Sequence, residues 1–138
     1  QVDIFNKLVR DKGLTEVVFI YGPLQDHQKN NILKTSDIFL LPSYAEGQPI
    51  SILEAMAFGL PIISSTVGSI PEVVGPKNGF LVSPGDIEKL FQIIKNLHED
   101  RELLETIANY NISDAFSKYQ KRRVLNEINE IYKRFLME

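Results

Sequence analysis

The sequence contains no cysteine, which excludes disulfides and thiolate metal clusters and is what a reducing cytosol permits. It has no long apolar run either. The longest are a few residues, far short of the roughly 20 that cross a bilayer, so these residues are not expected to span a membrane. Positive charge is not in excess: fifteen Lys and Arg stand against eighteen Asp and Glu, a formal net charge of -3. No global positive field is therefore available to hold nucleic acid by counterion release. No GxGxxG follows an apolar run, which argues against a dinucleotide-binding oxidoreductase. His27 and His98 have no Cys, His or paired acid at ligand spacing, so both read as surface residues and no metal is expected. The first residue is Gln1 rather than Met, and the N-terminus is read as a boundary set by processing or cropping.

What is present is enough for one apolar core: 138 residues, 43% of them hydrophobic. Four short runs rich in β-branched or aromatic residues read as strands: Val17 to Ile20, Ile38 to Leu41, Pro61 to Ser64 and Gly79 to Val82. Their starts lie 21, 23 and 18 residues apart, room for one strand, one helix and two loops. That rhythm predicts an α/β fold with a Rossmann-like parallel sheet and flanking helices. The runs do not alternate cleanly, as expected of strands covered on both faces. Helices are predicted over Ile4 to Lys12, stopped at Gly13, over Gln28 to Thr35, and over Ser51 to Phe58, stopped at Gly59 with Pro61 beyond. The C-terminal end is helical. Asp86 caps a segment with Ile87, Leu90, Phe91, Ile94 and Leu97 on one stripe. Leu103, Leu104 and Ile107 follow, then Val124, Leu125, Ile128, Ile131, Tyr132 and Phe135, all read as core-facing. With no repeat, linker or low-complexity tract, residues 1–138 read as a single domain.

The stretch that carries chemistry opens where the Ile38 to Leu41 run ends. In open parallel sheets ligands bind outside the carboxyl ends of the strands. The loop Ser43 to Ile50 falls there, and it feeds a helix whose unpaired N–H groups and positive dipole end suit a phosphate. Gly47 permits close backbone approach to a ligand. The run EGQPISILE, from Glu46 to Glu54, followed by AMAFGLPIISSTVGSIPEVV and then NGFLVSPGD, resembles the retaining glycosyltransferase family 4, of the two-domain GT-B fold. The likeness includes the family's two glutamates with seven residues between them, and it covers nearly the whole chain.

The resemblance implies a C-terminal donor-binding domain that serves transfer of a hexose from a UDP- or GDP-sugar to a glycan, lipid or other acceptor. Glu46, as the catalytic residue, and the backbone of Gly47, Gln48, Pro49 and Ile50 would contact the transferred sugar and the diphosphate. Ser51 falls in the same donor-binding run, and Glu54 would accept from the ribose hydroxyls, which suits a carboxylate's two oxygens. Tyr21 to Leu24 resembles the stretch beside the nucleobase, with Gly22, Leu24 and Lys29 as its contacts. No cofactor is implied, metal included, because helix dipoles and basic side chains serve the diphosphate. The acceptor domain would precede this chain. So would the first strand, first helix and second strand of the donor domain, with the Arg and Lys that clamp the departing diphosphate. The strand order implied is 3-2-1-4-5-6, the stereochemistry is retention, and the compartment is the cytoplasm or the inner face of its membrane.

Other readings remain open on the residues alone. Ser51 to Glu54 is also a capping box, S-x-x-E, which would tie Glu54 to its own helix start. Gly68 to Val74 reads equally as a structural turn with a short helix. The KYQKRR cluster, Lys118 to Arg123, reads as a solvated helix face rather than a membrane contact. At the level of function, a noncatalytic GT-B-like binding or regulatory subunit and a sugar-nucleotide epimerase are the alternatives. Glu46 and Glu54 as the acid pair of a glycoside hydrolase fit less well than sugar and ribose contacts.

Overall fold

The structure, a computed structural model, describes the backbone of residues 2–136 and the side chains of residues 3–134. Gln1 and the Phe135 side chain lie outside the described residues. The chain forms two compact units, Gln1–Ile32 and Leu33–Glu138.

The first unit holds helix α1, Val2–Asp11, and most of α2, Asp26–Thr35. Both match the helices expected from the sequence to within two residues. The apolar run between them does not form a strand. The N–H groups of Val17 and Val18 donate to the Leu14 carbonyl at 3.1 and 2.9 Å, winding this stretch into turns behind α1, and no ladder partner joins Val17 to Ile20. Val17 and Phe19 are 69% and 70% exposed. The physical reason is that β-propensity reports a side chain suited to a pleated, half-buried surface. Without a neighbouring strand the backbone donors turn to local carbonyls instead.

The second unit is built on three parallel strands, β1 (Phe39–Leu41), β2 (Ile62–Ser65) and β3 (Gly79–Val82), in the order β1-β2-β3. Each coincides with an expected strand to within a residue. The register sets Phe39, Ile62 and Gly79 in one row and Leu40, Ile63 and Phe80 in the next. Because side chains alternate across a strand, Phe39, Leu41, Ile62 and Leu81 enter one core and Ile63, Phe80 and Val82 the other. Both faces are covered, and β2 is buried along its whole length, which is why it does not alternate in sequence.

Helices α3 (Ile50–Ala57) and the short α4 (Ile70–Val73) pack on the first face through Ile52, Ala55, Met56 and Ile70. Gly59 ends α3 at φ +79, the left-handed conformation that stops a helix at little steric cost. On the other face lies α5 (Ile87–Glu99), whose Asp86 carboxylate accepts from the Lys89 N–H at 3.0 Å as the expected cap. Its buried stripe differs from the expected one. Ile93 and Leu97 are buried, whereas Ile87 and Phe91 are 75% and 61% exposed. The segment carries two adjacent apolar stripes, and a period of 3.6 alone does not say which one meets the sheet.

Helix α6, Arg101–Tyr119, runs from one core to the other, giving Ile107 to the second and Ala115 to the first. Midway, the buried Asn111 amide donates to the Leu60 and Asn78 carbonyls at 2.8 and 2.9 Å, and its oxygen accepts from Asn78 Nδ2 at 2.9 Å. Those carbonyls stand just before β2 and β3, so Asn111 pairs backbone acceptors at the amino edge of the sheet, opposite the loops described below. Asp114 accepts from Asn78 Nδ2 and from Lys118, whose ammonium lies 2.8 Å away. That hydrogen bond raises the Lys118 pKa above its ordinary value. The last helix, α7 (Lys121–Leu136), was expected to face a core, yet Leu125, Ile131 and Tyr132 are exposed. Its apolar stripe shows that the helix is amphipathic without fixing what covers it.

Candidate functional site

Three loops leave the carboxyl edge of the sheet: 42–49 after β1, 66–69 after β2 and 83–86 after β3. The first carries the expected sugar and diphosphate contacts. Glu46 is half-buried, and the Ser43 hydroxyl donates to its Oε1 at 2.7 Å, so a residue three positions earlier orients the carboxylate. Gly47 and Gln48 are exposed, Pro49 is half-buried and Ile50, 69% exposed, opens α3. The first N–H groups of a helix lack an intrahelical partner; at the start of α3 the Ile52 N–H donates to the Pro49 carbonyl at 3.1 Å.

The second loop locks the first. Gly68 has φ +54, and a Cβ there would sit 1.9 Å from the Glu46 carbonyl oxygen. Only glycine lets the two backbones come this close. Next to it, the Ser69 N–H and hydroxyl both donate to the Gly47 carbonyl, at 3.2 and 2.7 Å. The sequence leaves Gly68 to Val74 open between a functional and a structural reading, and it gives no sign of this contact, which spans 22 positions and has no local signature. A GS pair before Pro71 looks like an ordinary helix entry, and α4 is indeed the short helix that the structural reading of Gly68 to Val74 expects.

Glu54 lies half-buried on α3, in the wall of a cavity of about 360 Å³ between α3 and the last turns of α6. Phe116, Tyr119 and Gln120 line the far side. The capping-box alternative for Glu54 does not form. Pro49 occupies the cap position, no side chain caps it, and Ser51 sits inside the first turn. With Pro49 as cap, the Ser51 hydroxyl is two positions too late to serve.

The expected nucleobase contacts lie in the first unit. Gly22 and Leu24 belong to the exposed segment before α2, and Lys29 stands on α2 with its ammonium 3.5 Å from Asp26 Oδ1. Glu46 through Glu54 are thus brought together at one edge of the second unit. The KYQKRR cluster is tied to neighbouring acids: Lys118 to Asp114 and Arg123 to Glu127, both at 2.8 Å. Among the described residues no group of three His, Asp or Glu is placed to hold a metal ion, and no helix is long and apolar enough to cross a membrane.

A family model described as glycosyl transferases group 1 matches residues 2–114. Sulfoquinovosyl transferase SQD2 of Arabidopsis thaliana is 34% identical over 116 residues, covering 80% of this chain and 22% of that protein. MMP alpha-(1->4)-mannosyltransferase of Mycolicibacterium hassiacum is 28% identical over 130 residues, covering 93% of this chain and 32% of its own length. Among solved structures, Anabaena Alr3699/HepE in complex with UDP superposes with a TM-score of 0.87 at 26% identity, covering 96% of this chain and 36% of that one. The same protein has been solved with UDP-glucose. This chain therefore spans between 22% and 36% of the length of these relatives.

Proposed function

Because the chain belongs to the group 1 glycosyl transferases, we propose that it is the donor-binding part of a retaining enzyme that moves a hexose from a nucleoside-diphosphate sugar to a glycan, lipid or other acceptor. The observation that carries this reading is the loop from Glu46 to Pro49. It leaves the carboxyl end of a parallel strand, delivers the start of α3, and holds its acid in place through Ser43. Transfer breaks the bond from the anomeric carbon to the diphosphate and forms one to an acceptor hydroxyl. Negative charge therefore grows on the departing diphosphate, and fixed N–H dipoles at a helix start stabilise it without reorganising.

In this reading Glu46 accepts from hydroxyls of the transferred sugar, the backbone of Gly47 to Ile50 and Ser51 meets the sugar and diphosphate, and Glu54 accepts from the ribose. Gly22, Leu24 and Lys29 meet the base. HepE, with its UDP and UDP-glucose complexes, supports a nucleotide-sugar donor by likeness. The acceptor is held by a domain outside these residues, no metal takes part, and the protein works in the cytoplasm or at the inner face of its membrane. The test is calorimetry of the protein that carries this chain against UDP-glucose and GDP-mannose, followed by NMR of the product's anomeric proton. Binding of one donor and an α-linked product are expected. Binding of neither overturns the donor reading, and a β-linked product overturns retention.

A further inference from the structure

The hydroxyl of Ser69 lies at the cap position of α4, where a serine ordinarily accepts from an N–H of its own first turn. Here it makes no such bond. It donates instead to the Gly47 carbonyl at 2.7 Å, beside the Ser69 N–H, which donates to the same oxygen at 3.2 Å. One carbonyl thus takes two donors from one residue 22 positions away, while the helix that could have used the hydroxyl goes uncapped by it.

The consequence follows from the planar trans peptide, whose C=O and N–H point in opposite directions. Fixing the Gly47 oxygen toward Ser69 turns the Gln48 N–H away from Ser69. The preceding peptide is held in the same sense, since the Glu46 oxygen is packed against Gly68, where a Cβ would come within 1.9 Å; its N–H, that of Gly47, therefore points away from Gly68. Neither N–H has an acceptor among the described residues, and both residues are exposed. Two successive unpaired donors, next to the Glu46 carboxylate and the start of α3, therefore present themselves on one side of the loop.

We propose that Ser69 is a positioning residue of the donor site: by holding the Gly47 carbonyl it aims the Gly47 and Gln48 N–H groups at the diphosphate of the bound sugar nucleotide. The inference rests on the donor reading above, and the experiment separates the two. In the protein that carries this chain, Ser69→Ala and Ser69→Thr are titrated calorimetrically with UDP-glucose and GDP-mannose, and by NMR with uridine and guanosine, which carry no phosphate. Thermal unfolding is followed in parallel. Ser69→Ala should weaken the bound sugar nucleotide about three- to tenfold, the scale of one neutral hydrogen bond, leave the matching nucleoside unchanged, and keep its melting temperature. Ser69→Thr, which retains the hydroxyl, should stay within about twofold of the parent. A parent that binds neither sugar nucleotide overturns the donor reading and this inference with it. A parent that binds, with Ser69→Ala unchanged or equally weakened for the nucleoside, overturns the positioning role alone.

Discussion

Glu54 and Glu46 play different parts in the proposed site, and single substitutions separate them. Glu54→Gln keeps the side chain's size and one acceptor oxygen, so unfolding stability should change little. As ribose acceptor it should cost about 1.5–3 kcal/mol of nucleotide affinity, the scale for a hydrogen bond to a charged group, read by calorimetry with the nucleoside diphosphate. Unchanged affinity would return Glu54 to a structural role. Glu46→Gln should lower turnover while the bare nucleoside diphosphate binds nearly as before; a comparable loss of its affinity would place Glu46 on the phosphates. Gly68→Ala tests the loop lock more severely. The new Cβ meets a backbone oxygen rather than a flexible side chain, at φ +54, so the loops must part. Strain of about 1–3 kcal/mol in a chemical melt, together with lost sugar-nucleotide binding, is the expected outcome, and a wild-type melt with wild-type binding would contradict it.

Among the elements, those buried by near neighbours were legible and those that need distant partners were not. β1, β2 and β3 announce themselves because each is a short apolar run between loops and each finds its parallel neighbour within the chain. Val17 to Ile20 has the same composition but no ladder, so its donors bond Leu14 instead. The same distinction explains α5, whose second stripe of Ile87 and Phe91 stays exposed, and α7. In the site, Glu46 to Glu54 could be located from sequence because the motif is contiguous, whereas Gly68 and Ser69 enter only through tertiary contact. Asn111 belongs with them. It reads as a poor helix former in mid-helix, yet its amide pairs two carbonyls beneath the sheet. Asn111→Leu takes from the buried Leu60 carbonyl its Asn111 donor, while the Asn78 carbonyl keeps the Ile62 N–H and the Asn78 amide keeps Asp114; an unsatisfied buried group costs about 1–3 kcal/mol. A marked drop in melting temperature is expected, with little change in sugar-nucleotide affinity for the fraction that stays folded. A neutral melt would show that the network is dispensable.

On the scale of the whole chain the question is where the positive charge for a diphosphate comes from. The net charge is -3, and no Lys or Arg occurs from Thr35 to Pro76, the stretch that holds β1, α3, β2 and both locked loops. Within it only backbone dipoles oppose phosphate charge. Such dipoles at a helix terminus contribute about 0.3–1 kcal/mol at exposed positions, too little to stabilise a leaving diphosphate alone. A retaining transferase that accelerates its reaction by about a millionfold or more must lower the barrier by at least about 8 kcal/mol. Cationic side chains from outside Thr35 to Pro76 are therefore required in the proposed mechanism, which also takes its acceptor site from outside residues 1–138, and these residues span 22% to 36% of the length of the relatives. Residues 1–138 expressed alone should accordingly show no transfer and no hydrolysis of UDP-glucose or GDP-mannose. The check is a radiolabelled-sugar assay run beside the protein that carries this chain. Turnover by the 138 residues at a rate near that of the longer protein would mean that these loops supply the diphosphate's stabilisation unaided, and would overturn the division of labour argued here.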